Sequence, residues 1–303
     1  MENFALVLIY LVIGALLRRL PQFPQDTGLV LNQYVLFVAL PALVLQKIPL
    51  LEFSSQLWLP AITPWVLLII VAGLVILAGK VWHWEKTTVG ALLVVLPLGN
   101  TSFLGFPMVE AFFGEKALPF AMIYDQAGSF VALATYSTLL AAWYNPNATT
   151  PSALQMLMRV ITFPSFVALA VALALKSWPY PQFFSQLLDS LAATLVPVIM
   201  IAVGFQFRLQ LDNEDTKPLI FALGVKLILM PVLALTFLSF FQPEPLLLQV
   251  VVFEAAMPPM VSAGAIAIGA GLALRLVPAL VGLGLLLSFI SLPLWYLLLQ
   301  LYV

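Results

Sequence analysis

The run from Leu96 to Gly114, LPLGNTSFLGFPMVEAFFG, decides the fold. It lies inside an apolar stretch of membrane-spanning length, yet it carries Pro97, Gly99, Asn100, Gly105 and Pro107. In hydrocarbon every freed backbone N–H and C=O must find a partner, so opened backbone at membrane depth occurs only inside protein or against a wet cavity. The stretch alone supports two readings: a broken helix that builds a solute site, or a helix merely kinked by proline.

The surrounding composition settles the solvent. Of 303 residues, 63% are hydrophobic and only 8% charged, with a mean hydropathy of +1.10; soluble domains carry about 25% charged residues. The chain reads as an all-α polytopic membrane protein. A net charge of −1 gives no reason to expect nucleic acid, and the absence of cysteine excludes disulfides, thiolate catalysis and cysteine-based zinc sites. The single histidine, His83, sits between Trp82 and Trp84; with no second histidine to join it, it reads as a membrane-surface residue and not a metal ligand. No cofactor is expected. Met1-Glu2-Asn3 lacks a positive n-region, and Arg18 and Arg19 follow the first apolar run, so that run is expected to stay as a helix and not be a cleavable signal.

Scanning for apolar runs near 20 residues gives ten segments. They cover residues 4–17, 28–45, 57–79, 87–113, 117–143, 154–175, 183–207, 218–241, 246–270 and 272–302. The boundary between the last two is marked only by the glycine-rich run 264–271. Alternate connections hold Arg18, Arg19, Lys80, Lys86, Arg159, Arg208, Lys217 and Arg275, whereas the opposite side holds Lys47, Lys116 and Lys176. The basic side is cytoplasmic, which puts both termini outside.

Five helices per half is an odd number, so two homologous halves would insert upside down relative to each other. The halves are 1–143 and 154–303, joined by a cytoplasmic linker at 144–153. The second segment of each half carries a mid-span proline, Pro41 or Pro197, and the fourth is interrupted, at Pro97–Pro107 and at Glu254–Pro259. The spacings from 41 to 107 and from 197 to 259 are 66 and 62 residues. Inverted repeats with discontinuous helices in corresponding positions point to a secondary transporter's binding site. Each break exposes free N–H groups at one half-helix and free carbonyls at the other, with macrodipole charges of about plus and minus half a unit. Two such helices crossing near the midplane offer positive ends to an anion and negative ends to a cation or a lysine.

The motifs LNQYVLFVALPAL (31–43), GNTSFLGFP (99–107), YDQAG (124–128) and EAAMPPM (254–260) resemble the auxin efflux carrier family. That family includes bacterial malate or malonate permeases and the plant PIN-type exporters. The resemblance spans essentially the whole chain. It implies ten helices in a five-plus-five inverted repeat, akin to bile-acid transporters and sodium/proton antiporters. It also implies a scaffold of helices one, two, six and seven that often dimerises, and a transport domain in which helices four and nine cross at proline-containing breaks. Asn100 matches the asparagine that helps bind the substrate carboxylate; Pro107, with Pro258 or Pro259, matches the crossover prolines. The long loop of the long PIN exporters between helices five and six is missing here.

Ionisable groups inside spans are functional candidates by default, and Glu110, Asp125, Asp189, Lys226, Glu254 and Lys47 qualify. Asp125 can bind a proton or Na⁺, or partner Lys226 or a helix end. Glu254 can coordinate a cation or take a proton, or serve only as a buried hydrogen-bonding group. Lys226 can neutralise half-helix C-termini or attract an anion, or else snorkel to the surface. Asp189 and Lys47 read as structural, and Glu110 as facing an outer vestibule or capping Lys116. The uncharged set around the breaks is Gly99, Asn100, Thr101, Ser102 and Pro107, then Met257, Pro258, Pro259 and Ser262. Asparagine donates and accepts, so with half-helix N–H groups it can hold a carboxylate without the grip of a buried arginine.

The expected function is therefore secondary transport of a small organic anion (malate, malonate or an indole acid), by elevator-like or rocking alternating access in a bacterial cytoplasmic membrane, with coupling to H⁺ or Na⁺ left open. The alternative is an antiporter whose main cargo is the cation; no adjacent Asp-Asp pair favours it. An intramembrane enzyme would need a clustered acidic metal motif or a nucleophile–base pair, and a receptor would need an appended soluble domain.

Overall fold

The computed structural model describes residues 2–50, 55–145, 151–176, 180–206 and 216–302. Among them the chain is helical, with no strand and one isolated antiparallel bridge. The helices are α1 (Glu2–Leu17), α2 (Thr27–Leu50), α3 (Trp58–Val81), α4 (Lys86–Val95), α5 (Thr101–Phe113), α6 (Glu115–Tyr144), α7 (Ala153–Ile161), α8 (Pro164–Ala174), α9 (Gln182–Gln206), α10 (Thr216–Ser239), α11 (Pro245–Ala255), α12 (Val261–Gly269) and α13 (Leu276–Tyr302). Six of these, α2, α3, α6, α9, α10 and α13, are long and apolar enough to cross a membrane, and α7 with α8 forms a bent pair that qualifies as one more. The chain is thus a multi-pass membrane protein. Large apolar side chains such as Ile69, Leu77 and Leu301 stand exposed, where a soluble monomer would leave only small patches.

The fourth and ninth apolar segments are each divided in two, as α4 with α5 and α11 with α12. The last helix starts at Leu276 and not at 272, because Gly271 and Ala273 take left-handed backbone (φ +74° and +38°) that a helix cannot continue through. Prolines leave a different mark elsewhere. A helical proline lacks an N–H and crowds the carbonyl four residues earlier, and the ladder ahead of it widens to i→i+5 bonding. This occurs at Val35–Ala39 before Pro41 and at Val225–Leu229 before Pro231.

The chain forms two compact units. One comprises Met1–Ser54, Ser102–Met122 and Met158–Phe207; the other comprises Ser55–Thr101, Ile123–Leu157 and Arg208–Val303. Each draws on both halves of the sequence, so the expected division at 144–153 separates halves of sequence and not compact bodies; residues 146–150 of that linker, and Arg208, lie outside the described residues.

In the first unit α1 packs along α9 at backbone contact: a Cβ on Gly14 would lie 2.1 Å from the carbonyl oxygen of Ile201, and one on Gly204 would lie 2.0 Å from that of Leu11. Tyr34 and Thr194 share a hydroxyl hydrogen bond of 2.9 Å, and Gln206 Nε2 donates to Gly28 O at 2.9 Å, so α2 is tied to α9 at two levels. In the second unit α4 packs against α3, α6 and α12, while α10 packs against α11 and α13. Gly128 of α6 admits the ring of Pro64 of α3, whose Cγ would lie 2.3 Å from an added Cβ.

Candidate functional site

Within the second unit, residues 96–100 and 256–260 are the two breaks, and they pair. Gly99 and Pro259 form an antiparallel bridge: Asn100 N donates to Pro258 O at 2.8 Å and Met260 N donates to Leu98 O at 3.1 Å. The interrupted backbone thereby satisfies itself as a two-residue strand pair, which is how it survives at membrane depth. Gly99 fits closely here: a Cβ there would meet Met257 Cβ and Thr101 Cγ2 at 3.3 Å and the Glu254 carbonyl at 3.4 Å. On the far side Pro259 sits on Gly284 of α13, where a Cβ would lie 2.5 Å from the proline Cδ.

Side chains absorb the groups that the irregular helices free. Ser137 donates to Val94 O near the end of α4 at 3.1 Å. Trp65 donates to Ala127 O in the widened turns of α6 at 3.1 Å. Trp295 donates to Leu227 O in those of α10 at 2.9 Å. Sequence reasoning did not single out Ser137, Trp65 or Trp295; the signal that could have found them is a polar hydrogen inside an apolar helix, which must seek an acceptor.

The breaks leave a half-helix N-terminus at Thr101 and another at Val261, each with N–H groups that the helix itself cannot pair. Asn100 is buried, and its Nδ2 has no hydrogen-bond partner. Beside it Thr101 donates to Asp125 Oδ1 at 2.5 Å, and Gln126 Nε2 donates to Asp125 Oδ2 at 2.7 Å; all three residues are buried. Glu254, next to last in α11, is fully buried, and neither of its carboxylate oxygens has a hydrogen-bond partner. Lys226 is also fully buried, with Nζ 3.3 Å from Met230 Sδ. That burial corrects the snorkelling reading. Glu254 lies within electrostatic reach of Asp125, Lys226 and Tyr124. The structure thus joins Gly99, Asn100, Thr101, Met257, Pro258 and Pro259 at one crossing, with Asp125, Lys226 and Glu254 as its ionisable surroundings and the neutral Gln126 beside Asp125.

Two expected site residues, Pro107 and Ser102, fall in the first unit. Pro107 does not lie at the crossing. It is buried in α5, in the first unit, and the residue that precedes the bridged pair in the first break is Pro97. The breaks centre on Gly99 and Pro259, so the match of 66 and 62 residues does not measure their spacing. Ser102 begins the first unit's share of α5, and Ser262 is half-buried in the first turn of α12. Pro107 instead lines an open cleft of about 450 Å³ within the first unit, along with Lys47, Glu110, Glu115, Asp189 and Pro197. There Lys47 pairs with Glu115 at 2.5 Å and Gln46 donates to Asp189 at 2.5 Å.

The chain is 25% identical to an uncharacterized transporter of Methanothermobacter thermautotrophicus over 305 aligned residues, covering 97% of this chain and 96% of the relative. It is 25% identical to a second uncharacterized transporter, of Methanocaldococcus jannaschii, over 268 residues and 85% of each chain. Residues 1–296 match the family described as membrane transport protein. By that match over nearly its whole length, the chain belongs to the membrane transport protein family, the auxin efflux carriers that its motifs resemble.

Proposed function

We propose that the protein is a secondary transporter of a small organic anion, and that a carboxylate binds at the crossing of the two broken segments. The observation that carries this is the pairing of Gly99 with Pro259, which leaves two half-helix N-termini and the unpartnered amide of Asn100 together at membrane depth. Helix N-termini favour negative charge, and a buried amide donor without an acceptor is costly unless a ligand supplies one. Thr101 at one terminus and Ser262 at the other add hydroxyls to the same role. No arginine need take part, so binding stays weak enough for release.

Around this site we infer ten spans in two inverted five-helix repeats, residues 1–143 and 154–303. Both termini would face the periplasm of a bacterial cytoplasmic membrane, helices one, two, six and seven would form a homodimer, and the crossing would be carried through an elevator-like or rocking displacement. The cation-as-cargo alternative is disfavoured by Lys226, an ammonium already buried in the cluster. Counterflow in proteoliposomes with labelled malonate, L-malate and indole-3-acetate tests the central reading. At least one carboxylate exchanges in the wild type and Asn100→Ala loses it; undiminished exchange by that variant moves the site away from the break.

A further inference from the structure

Three buried ionisable groups surround the crossing, and their partners are unequal. Asp125 takes hydrogen bonds from Thr101 and Gln126, which suit a charged carboxylate. Lys226 faces the thioether of Met230, a weak acceptor that cannot balance its charge. Glu254 has no donor to either oxygen and no exposure. The groups that act on Glu254 are Tyr124 and Asp125 from α6 and Lys226 from α10. Of the other helices packed on α11, α13 has no charged residue, and α3 has only Lys80, exposed near its end.

Charge counting then separates the two carboxylates. One ammonium balances one of them, and Asp125 is the one with donors in place. An ionised carboxylate buried without donors is costly, and such a group neutralises instead. We propose that transport is proton-coupled and that Glu254 is the proton-carrying group, with one proton moving in the same direction as each anion. This rests on the anion reading above. The link is geometric: the Glu254 backbone carbonyl lies 3.4 Å from where a Gly99 Cβ would sit, so the end of α11 packs against Gly99, which adjoins Asn100. An anion at Asn100 brings a second uncompensated negative charge to a site where Glu254 would already supply one, so the proton and the anion favour each other's binding, reciprocally. Na⁺ fits less well, because it needs several oxygen ligands, Lys226 already supplies the local positive charge, and the Asp125 oxygens are engaged.

The test has a substrate-free arm and a transport arm, both on the full chain reconstituted in lipid. Infrared difference spectra taken across a pH titration without substrate are expected to contain a protonated-carboxyl band that disappears in Glu254→Gln and persists in Asp125→Asn. In proteoliposomes with the membrane potential clamped at zero, and with entry into protein-free liposomes subtracted, an inward proton gradient of one pH unit is expected to drive about tenfold accumulation of the carried carboxylate. Glu254→Gln abolishes that accumulation. Glu254→Asp, which keeps a proton acceptor, changes its rate but not its final ratio, and serves if the glutamine variant does not fold. Wild-type counterflow that ignores the gradient, accumulation by Glu254→Gln at the wild-type ratio, or a carboxyl band that survives Glu254→Gln overturns the proposal. If no carboxylate exchanges at all, the anion reading fails instead, and the infrared arm alone decides whether Glu254 carries a proton.

Discussion

Replacing Gly284 by alanine tests whether the crossing is held by backbone fit. The new Cβ would lie 2.5 Å from Pro259 Cδ, whereas ordinary contact begins at 3.4 Å, so about 0.9 Å of separation must be found. Pro259 is a rigid ring whose neighbours on both sides are in the bridge. If the break yields, the 2.8 Å bond from Asn100 N to Pro258 O lengthens to about 3.7 Å and is lost. If α13 yields, its packing on α10 and α12 opens. Either way the expected cost of overpacking is about 1–3 kcal/mol, partly masked by the gain of about 1 kcal/mol from replacing a helical glycine. Gly73→Ala supplies the correction, since that glycine is helical, exposed and has nothing within 4 Å of its would-be Cβ. Reversible unfolding in mixed micelles should therefore place Gly284→Ala below Gly73→Ala by about 1–3 kcal/mol, and the first variant should also lose carboxylate counterflow. Equal stability with unchanged exchange refutes the claim that the bridge depends on this contact.

The remaining predictions concern single interactions. Gly14→Ala puts its Cβ 2.1 Å from a backbone oxygen and not a movable side chain, so the same unfolding assay should show a loss at least as large as that of Gly284→Ala. Thr101→Val keeps the shape and removes a donor to the buried Asp125 carboxylate; stability should fall by about 1.5–3 kcal/mol, and a fall within error shows that this bond is not formed. Lys47→Ala breaks the pair with Glu115, which is 67% exposed, so the cost should stay below about 1 kcal/mol and shrink in high salt. A larger, salt-insensitive loss would mean the pair is not the exposed contact seen here.

Much of the membrane architecture was legible in the sequence, because hydrophobic length is a local property. The long apolar runs became helices near their expected bounds, and the two segments rich in proline and glycine divided where a helix cannot hold. Family membership was legible for the same reason: it rests on contiguous motifs such as GNTSFLGFP. The sequence also marked Asn100, Asp125, Lys226 and Glu254, since a polar group at membrane depth is conspicuous whatever surrounds it. What the sequence left open was which break residues meet. Proline counting chose Pro107, but the pairing partner of Pro259 is Gly99, because the bridge is set by which backbone N–H and C=O groups the two breaks leave free to meet.

The tertiary structure alone decided how each polar group is satisfied. Asp125 has two donors and Glu254 has none; Lys226 is sealed in and does not reach the surface; and Ser137, Trp65 and Trp295 close carbonyls far away in the chain. None of these is a property of a stretch. Each depends on packing that joins residues from distant segments, which is also why the opening run of prolines and glycines, read alone, could not distinguish a kinked helix from half of a crossing.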